Sequence, residues 1–236
     1  MITRTIKWAI VTVIIVLLFS NVSIVKASEN NNQHYNNNGK IDQGDLINIR
    51  KPNINNGGNC TIGYIDHSAS RVYTAGHCGQ SGDVVSILKD GDYFPVGIFD
   101  TYYNPNSYRN DIGWFDVKPE LLGVNTYSDS KIVQPNIGQR LCSYGARSNK
   151  VHCGIILGFD GRIILSDKGG IPGDSGGPAW IPGQGFVGLY TVYWHSDNNL
   201  VGTGFTHLKG YDNYKNIPQP IDNKLYLLSD KFVSRA

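Results

Sequence analysis

Gly173-Asp174-Ser175-Gly176-Gly177-Pro178 gathers three glycines, an acid, a hydroxyl and a closing proline in six residues. Glycine reaches backbone angles that side-chained residues avoid and lets another backbone or a ligand come close. A serine in such a loop presents its hydroxyl openly. The N–H groups of Gly173 and Ser175 can then converge on one point, as stabilisation of an oxyanion requires. The same residue types also build ordinary surface turns, so the loop gains meaning only with partners. A hydroxyl is a weak nucleophile at neutral pH. It needs an imidazole to take its proton and a buried carboxylate to fix the tautomer of that imidazole. Thr74-Ala75-Gly76-His77-Cys78 supplies a histidine and Asn110-Asp111-Ile112-Gly113-Trp114 an acid. The gaps, 34 residues from His77 to Asp111 and 64 from Asp111 to Ser175, suit parts carried on separate loops that meet in a cleft. Asp100 and Asp116 are rivals for the acid. Asp100 sits at a strand end beside Thr101-Tyr102, and Asp116 projects from the strand face opposite to Asp111.

The elements that position these residues read as short strands. From Cys60 onward, β-like runs alternate with turn residues. They span Thr61–Ile65, Arg71–Thr74, Val84–Leu88, Phe94–Phe99, Ile112–Val117, Ile132–Val133, Gln139–Tyr144, Gly154–Phe159, Arg162–Leu165, Ala179–Ile181, Phe186–Tyr193 and Val201–Phe205. About twelve strands at this spacing predict an all-β barrel or sandwich, or two barrels. Leu225-Tyr226-Leu227-Leu228 adds a last strand or a short helix.

The 236 residues allow one large β domain or two small ones. Arg4 and Lys7, the apolar run Trp8–Phe19 and the small residue closing Val25-Lys26-Ala27 make residues 1–27 a secretory signal peptide. The run is shorter than the ~20 residues of a membrane span, so no stable membrane anchor is expected. Residues 28–59 are Asn-rich and poor in apolar side chains, the composition of a flexible leader or short propeptide. The domain is expected at 60–236. Asn59-Cys60-Thr61 matches the glycosylation acceptor, which matters only in a eukaryotic secretory pathway. A net charge of +2 without a basic run excludes a nucleic-acid or anionic-membrane footprint. Four cysteines in an exported chain read as two disulfides, with three possible connectivities. His67, His152, His195 and His207 do not fall at metal-ligand spacing with the cysteines, so neither metal nor cofactor is expected.

The histidine pentapeptide and the serine hexapeptide resemble those of the chymotrypsin superfamily of secreted serine proteases, nearer its bacterial branch than the digestive trypsins. Asn110-Asp111 before an apolar strand matches the acid's setting more loosely. The similarity runs from about Cys60 to about Leu208, and the order His, Asp, Ser differs from those of α/β-hydrolases and subtilisins. The resemblance implies an all-β fold of two six-stranded antiparallel β-barrels with the active site at their junction. It implies that His77 is general base and then acid, Asp111 its orienter and Ser175 the nucleophile, with the N–H groups of Gly173 and Ser175 as oxyanion hole. It further implies disulfides Cys60–Cys78 and Cys142–Cys153, the second closing the hairpin that points to the bacterial branch.

The sequence departs from the family in two places. No cleavage motif before a branched apolar residue precedes Cys60. The arginine that bacterial relatives pair with the acid beside the serine is Ser143 here, with Arg140 and Arg147 as substitutes for pairing Asp174. The substrate pocket aligns with Gly169 and Gly170 at its base and with Thr191-Val192-Tyr193 as its strand. Tyr193 stands at the mouth, where many relatives have glycine. With no acid at the base, small or medium apolar side chains are expected before the cut bond. Asp167 would instead restore a preference for Lys or Arg, and His195 or His207 would attract Glu, although Tyr190 occupies the position of the family's glutamate-binding histidine. The expected function is a secreted, monomeric endopeptidase acting on protein or peptide substrates, with an inactive homologue serving as a binding module as the alternative.

Overall fold

In the run Arg71–Thr74, Val72 and Thr74 are buried and Arg71 and Tyr73 more exposed, so a pattern of period two puts one face of that strand inward. The structure is a computed structural model and describes residues 39–54, 57–89, 92–103, 110–196, 199–209 and 225–226. All lie in one compact unit, Gln33–Ala236. The expected signal peptide, the Asn-rich stretch through residue 38 and the His195 side chain lie outside the described residues.

The first half contributes β1 (Leu46–Arg50), β2 (Gly58–Thr61), β3 (Tyr64–Asp66), β4 (Arg71–Thr74), β5 (Val84–Lys89), β6 (Asp92–Ile98), β7 (Asp100–Thr101) and β8 (Gly113–Asp116). They form two four-stranded sheets, β2-β1-β5-β6 and β3-β4-β8-β7. β2 runs into β3 through Ile62-Gly63, and β6 runs into β7 through Phe99. The two bent strands join the sheets along both edges, so six antiparallel runs wrap one core. Ile47, Ile49, Ile62, Ile65, Val72, Val85, Phe99 and Phe115 fill it.

Residues 41–50, inside the stretch expected as leader, pack into this barrel. Ile41 is fully buried and bridges Leu122, and β1 pairs with both β2 and β5. The local composition reads as disordered because only Ile47 and Ile49 of β1 enter the core cluster. Two inward side chains suffice when the partner strands come from elsewhere. Burying each isoleucine contributes ~1.5–3 kcal/mol.

The second half contributes β9 (Arg140–Gly145), β10 (Lys150–Asp160), β11 (Ile163–Ser166), β12 (Pro178–Ile181), β13 (Gly185–Ser196), β14 (Asn199–His207) and β15 (Leu225–Tyr226). The order is β12-β9-β10-β11-β14-β13, and β13 pairs back onto β12, closing a six-stranded barrel with β15 added outside it on β13. Its core holds Leu141, Ile156, Phe159, Ile164, Val187 and Phe205 together with Tyr190 and Tyr193. Ile132–Val133, expected as a strand, makes a single bridge from Ile132 to Phe186.

Both disulfides form as the resemblance implied, Cys60–Cys78 and Cys142–Cys153. The first ties the end of β2 to the 3-10 turn Gly76–Cys78. The second joins directly opposed residues of β9 and β10. Loops of 18 and 11 residues correspond to about 3 kcal/mol each in the chain-entropy model.

Candidate active site

His77 stands in the 3-10 turn that follows β4, and Asp111 two residues before β8. β4 and β8 are neighbours, with Thr74 opposite Gly113, so both residues emerge from the same end of one strand pair. Asp111 is fully buried. Its Oδ1 accepts from the His77 backbone N–H at 2.8 Å, and its Oδ2 lies 2.6 Å from Nδ1. One carboxylate therefore holds both the turn and the ring. With the carboxylate oxygens as acceptors, Nδ1 carries a proton and Nε2 is left as the acceptor nitrogen of the ring. Burial pulls the imidazole down, but the Asp111 charge and its hydrogen bond outweigh it, and the net shift is upward. Tyr103 meets the His77 ring edge-on at 6.2 Å. The rival acids are engaged elsewhere. Asp116 pairs with Arg71 through bonds of 2.6 and 3.0 Å, and Asp100 accepts from Ser81 and from the Thr101 N–H.

The serine loop lies between β11 and β12 of the second barrel. Gly173 has φ +93° and Gly176 φ +84°, the left-handed region that side chains disfavour. Asp174 N–H donates to Ile171 O at 3.0 Å and Gly177 N–H to Asp174 O at 3.0 Å, winding the loop tightly. Gly176 N–H donates to Tyr190 O at 2.7 Å and anchors the loop on β13. A Cβ on Gly176 would lie 1.9 Å from Thr74 Oγ1 and 2.8 Å from Ala75 N, so the loop abuts the backbone just before His77. Among the described residues, neither Gly173 N–H nor Ser175 N–H has a protein acceptor, and Ser175 Oγ makes no hydrogen bond to His77.

Asp174 is 2 % exposed. Its oxygens accept from Ser148 N–H at 2.8 Å and Ile171 N–H at 3.0 Å. Among the described residues no ion pair reaches it, and neither Arg140 nor Arg147 takes the role expected from the family. Two backbone donors supply the compensation that a cation gives elsewhere.

Around the expected pocket, a Cβ on Gly169 would lie 1.9 Å from the Thr203 methyl and one on Gly170 2.2 Å from Asp174 Oδ2. Tyr193, expected at the mouth, is 7 % exposed and meets Tyr190 edge-on at 5.6 Å. Both hydroxyls are buried, and burial raises both phenols well above their ordinary value. Thr191 Oγ1 lies 2.9 Å from Thr206 Oγ1. Asp167 accepts from Ile155 N–H at 2.7 Å and so faces β10. His207 is fully buried between the Lys209 and Val133 carbonyls, and burial lowers its pKa to about 4.

Two inter-barrel residues carried no sequence signal beyond their neighbours. Gln43 is 1 % exposed and makes four hydrogen bonds, to Gly63 O and Ser128 Oγ and from the N–H groups of Tyr127 and Ser128. Thr61 follows Cys60 and reaches the serine loop.

No family model matches the chain. An uncharacterized protein of Mycobacterium tuberculosis is 24 % identical over 160 residues, covering 57 % of this chain and 68 % of that protein. Among solved structures, a chymotrypsin of Cellulomonas bogoriensis aligns at 20 % identity over 72 % of this chain and 93 % of its own, with TM-score 0.51. A Nocardiopsis protease aligns at 20 % identity over 72 % and 94 %, with TM-score 0.52. A glutamic acid-specific serine protease aligns at 18 % identity over 71 % and 93 %, with TM-score 0.53. The chain has the fold of the bacterial chymotrypsin-like serine proteases.

Proposed function

We propose that this chain is a secreted serine endopeptidase that cuts peptide bonds through an acyl-enzyme. The observation that carries this reading is the buried carboxylate of Asp111, bonded to both the backbone and the ring of His77, on the barrel against which the Gly173–Pro178 loop packs. Ser175 Oγ attacks the scissile carbonyl while His77 Nε2 takes its proton. The resulting oxyanion receives the N–H groups of Gly173 and Ser175. Collapse breaks the C–N bond, and the imidazolium gives its proton to the leaving amine. Water then attacks the acyl-enzyme by the same route in reverse roles, releasing the acid and restoring the serine. Asp111 stays ionised and holds the imidazolium.

Signal-peptide cleavage after Ala27 delivers the chain to an oxidising compartment, where its two disulfides persist. Tyr190 and Tyr193 are buried side by side, and without an acid at Gly169 and Gly170 a small or medium apolar residue precedes the cut bond in this reading. Labelling of the purified protein by a fluorophosphonate, lost in Ser175→Ala, supports the enzyme. A folded wild type that never labels supports the binding module instead.

A further inference from the structure

Thr61 makes four hydrogen bonds, and every one leaves its own sheet. Its N–H donates to Ser175 O at 2.8 Å. Its carbonyl accepts from Thr74 Oγ1 at 2.8 Å. Its hydroxyl accepts from Ala146 N–H at 3.0 Å and donates to Gly173 O at 3.4 Å. The residue is fully buried, so water does not substitute for any of these partners.

The Gly173 carbonyl belongs to the same peptide plane as the Asp174 N–H, and that N–H is bonded to Ile171 O. The plane is thus gripped at both ends, by Thr61 on the oxygen and by Ile171 on the nitrogen. The Gly173 N–H sits across its Cα from this plane, so holding the plane while Gly173 stays at φ +93° restrains the direction of that N–H. Glycine has little intrinsic preference at such angles, so with only the Ile171 bond left the plane can tilt about its nitrogen end and carry the N–H away. The Ala146 bond holds the hydroxyl's lone pair and so aims its hydrogen at Gly173 O.

We infer that Thr61 is a positioning residue of the serine loop: its hydroxyl locks the Gly173–Asp174 peptide and thereby aims the Gly173 N–H at the substrate oxyanion. The catalytic part of this inference rests on the endopeptidase reading, and the locking of the peptide does not.

The test compares full-length secreted protein with Thr61→Val, Thr61→Ala and Thr61→Ser. Amide hydrogen exchange of the 171–177 segment is read in the free protein. The lock predicts exchange at Asp174 at least ~10-fold faster in the valine and alanine variants, with the rest of the second barrel unchanged, and near wild type in the serine variant. In peptide hydrolysis the valine and alanine variants lose kcat by ~10–100-fold with KM within about threefold, less than the ~10²–10³ of deleting an oxyanion donor outright. Serine restores it. Wild-type exchange in the alanine variant, or equal exchange in the alanine and serine variants, overturns the lock. If the wild type neither labels with a fluorophosphonate nor cuts peptides, the endopeptidase reading fails and exchange alone decides on Thr61.

Discussion

The two barrels are built alike and fill their interiors with different polar side chains. In the first, Gln43 and Asp111 are buried with their polar atoms engaged: Gln43 makes four bonds and Asp111 uses both oxygens on His77. In the second, Tyr190 and Tyr193 stand edge-on in the core at 5.6 Å, so aromatic rings take the place of a hydrogen-bonded network. A buried polar group left unpaired costs ~1–3 kcal/mol, whereas a satisfied one contributes about 1 kcal/mol. The first barrel holds Asp111 and His77 through directed bonds, and the Gly173–Pro178 loop of the second leans on the first for part of its anchorage. The difference teaches that directed bonds hold the His77–Asp111 pair and the junction, and ring packing holds the aromatic core.

The largest expected effect lies on the loop of the second barrel. Ser175→Ala should lower peptidase activity by at least ~10⁴-fold while far-UV circular dichroism stays unchanged, since binding and the oxyanion donors leave only a residual acceleration. Retained probe labelling would remove Ser175 from the site.

The matching change in the first barrel is Asp111→Asn. It should lower kcat by ~10⁴-fold through the wrong imidazole tautomer. A loss below tenfold in steady-state assays would mean that Asp111 does not orient His77.

The pH profile sharpens the contrast further. Activity requires neutral His77 and should rise through a titration displaced above the ordinary ~6.5, because the folded value is raised. Stability runs the other way: charged His77 stabilises fully below ~6.5, and this contribution is lost as pH rises through the folded value. Asp45 adds to the same trend. Burial raises its carboxyl to about 7, so its deprotonation costs stability as pH rises towards neutrality. His207, lowered to about 4, contributes with the opposite sign as pH rises to ~6.5. The His77 contribution is therefore read as the difference between wild type and His77→Gln. A wild-type denaturant midpoint that gains on that of His77→Gln from pH 6 to 8 would contradict the upward shift of His77.

Smaller effects test the two interiors. Gln43→Leu strands the Tyr127 and Ser128 N–H groups and the Gly63 carbonyl, so urea unfolding should report a loss of ~3 kcal/mol or more. Tyr193→Phe keeps the ring in the core and its edge-on packing on Tyr190, so it should change stability by no more than ~1 kcal/mol, a Tm shift of a few degrees. If Tyr193→Phe destabilises as much as Gln43→Leu, directed bonds hold the second interior too and the contrast between the barrels fails.

Legibility in the sequence followed how local each feature is. Arg71–Thr74 appears as read, because its alternation lies within four residues. The order of His77, Asp111 and Ser175, the glycines around the serine and the four cysteines are all written in the chain. β1 escaped, because its inward pair sits in an Asn-rich stretch and gains meaning only against β2 and β5.

What the sequence by itself determined is the set of reactive groups and the turns that hold them, since glycine, proline and residue order act locally on the backbone. Only the tertiary structure decided which acid meets His77, that Asp174 is held by two N–H groups instead of an arginine, that Tyr193 points inward, and that Thr61 and Gln43 span the junction. Each of those outcomes is a contact between residues far apart in the chain. Hydrogen bonds and burial select it only after the barrels have closed.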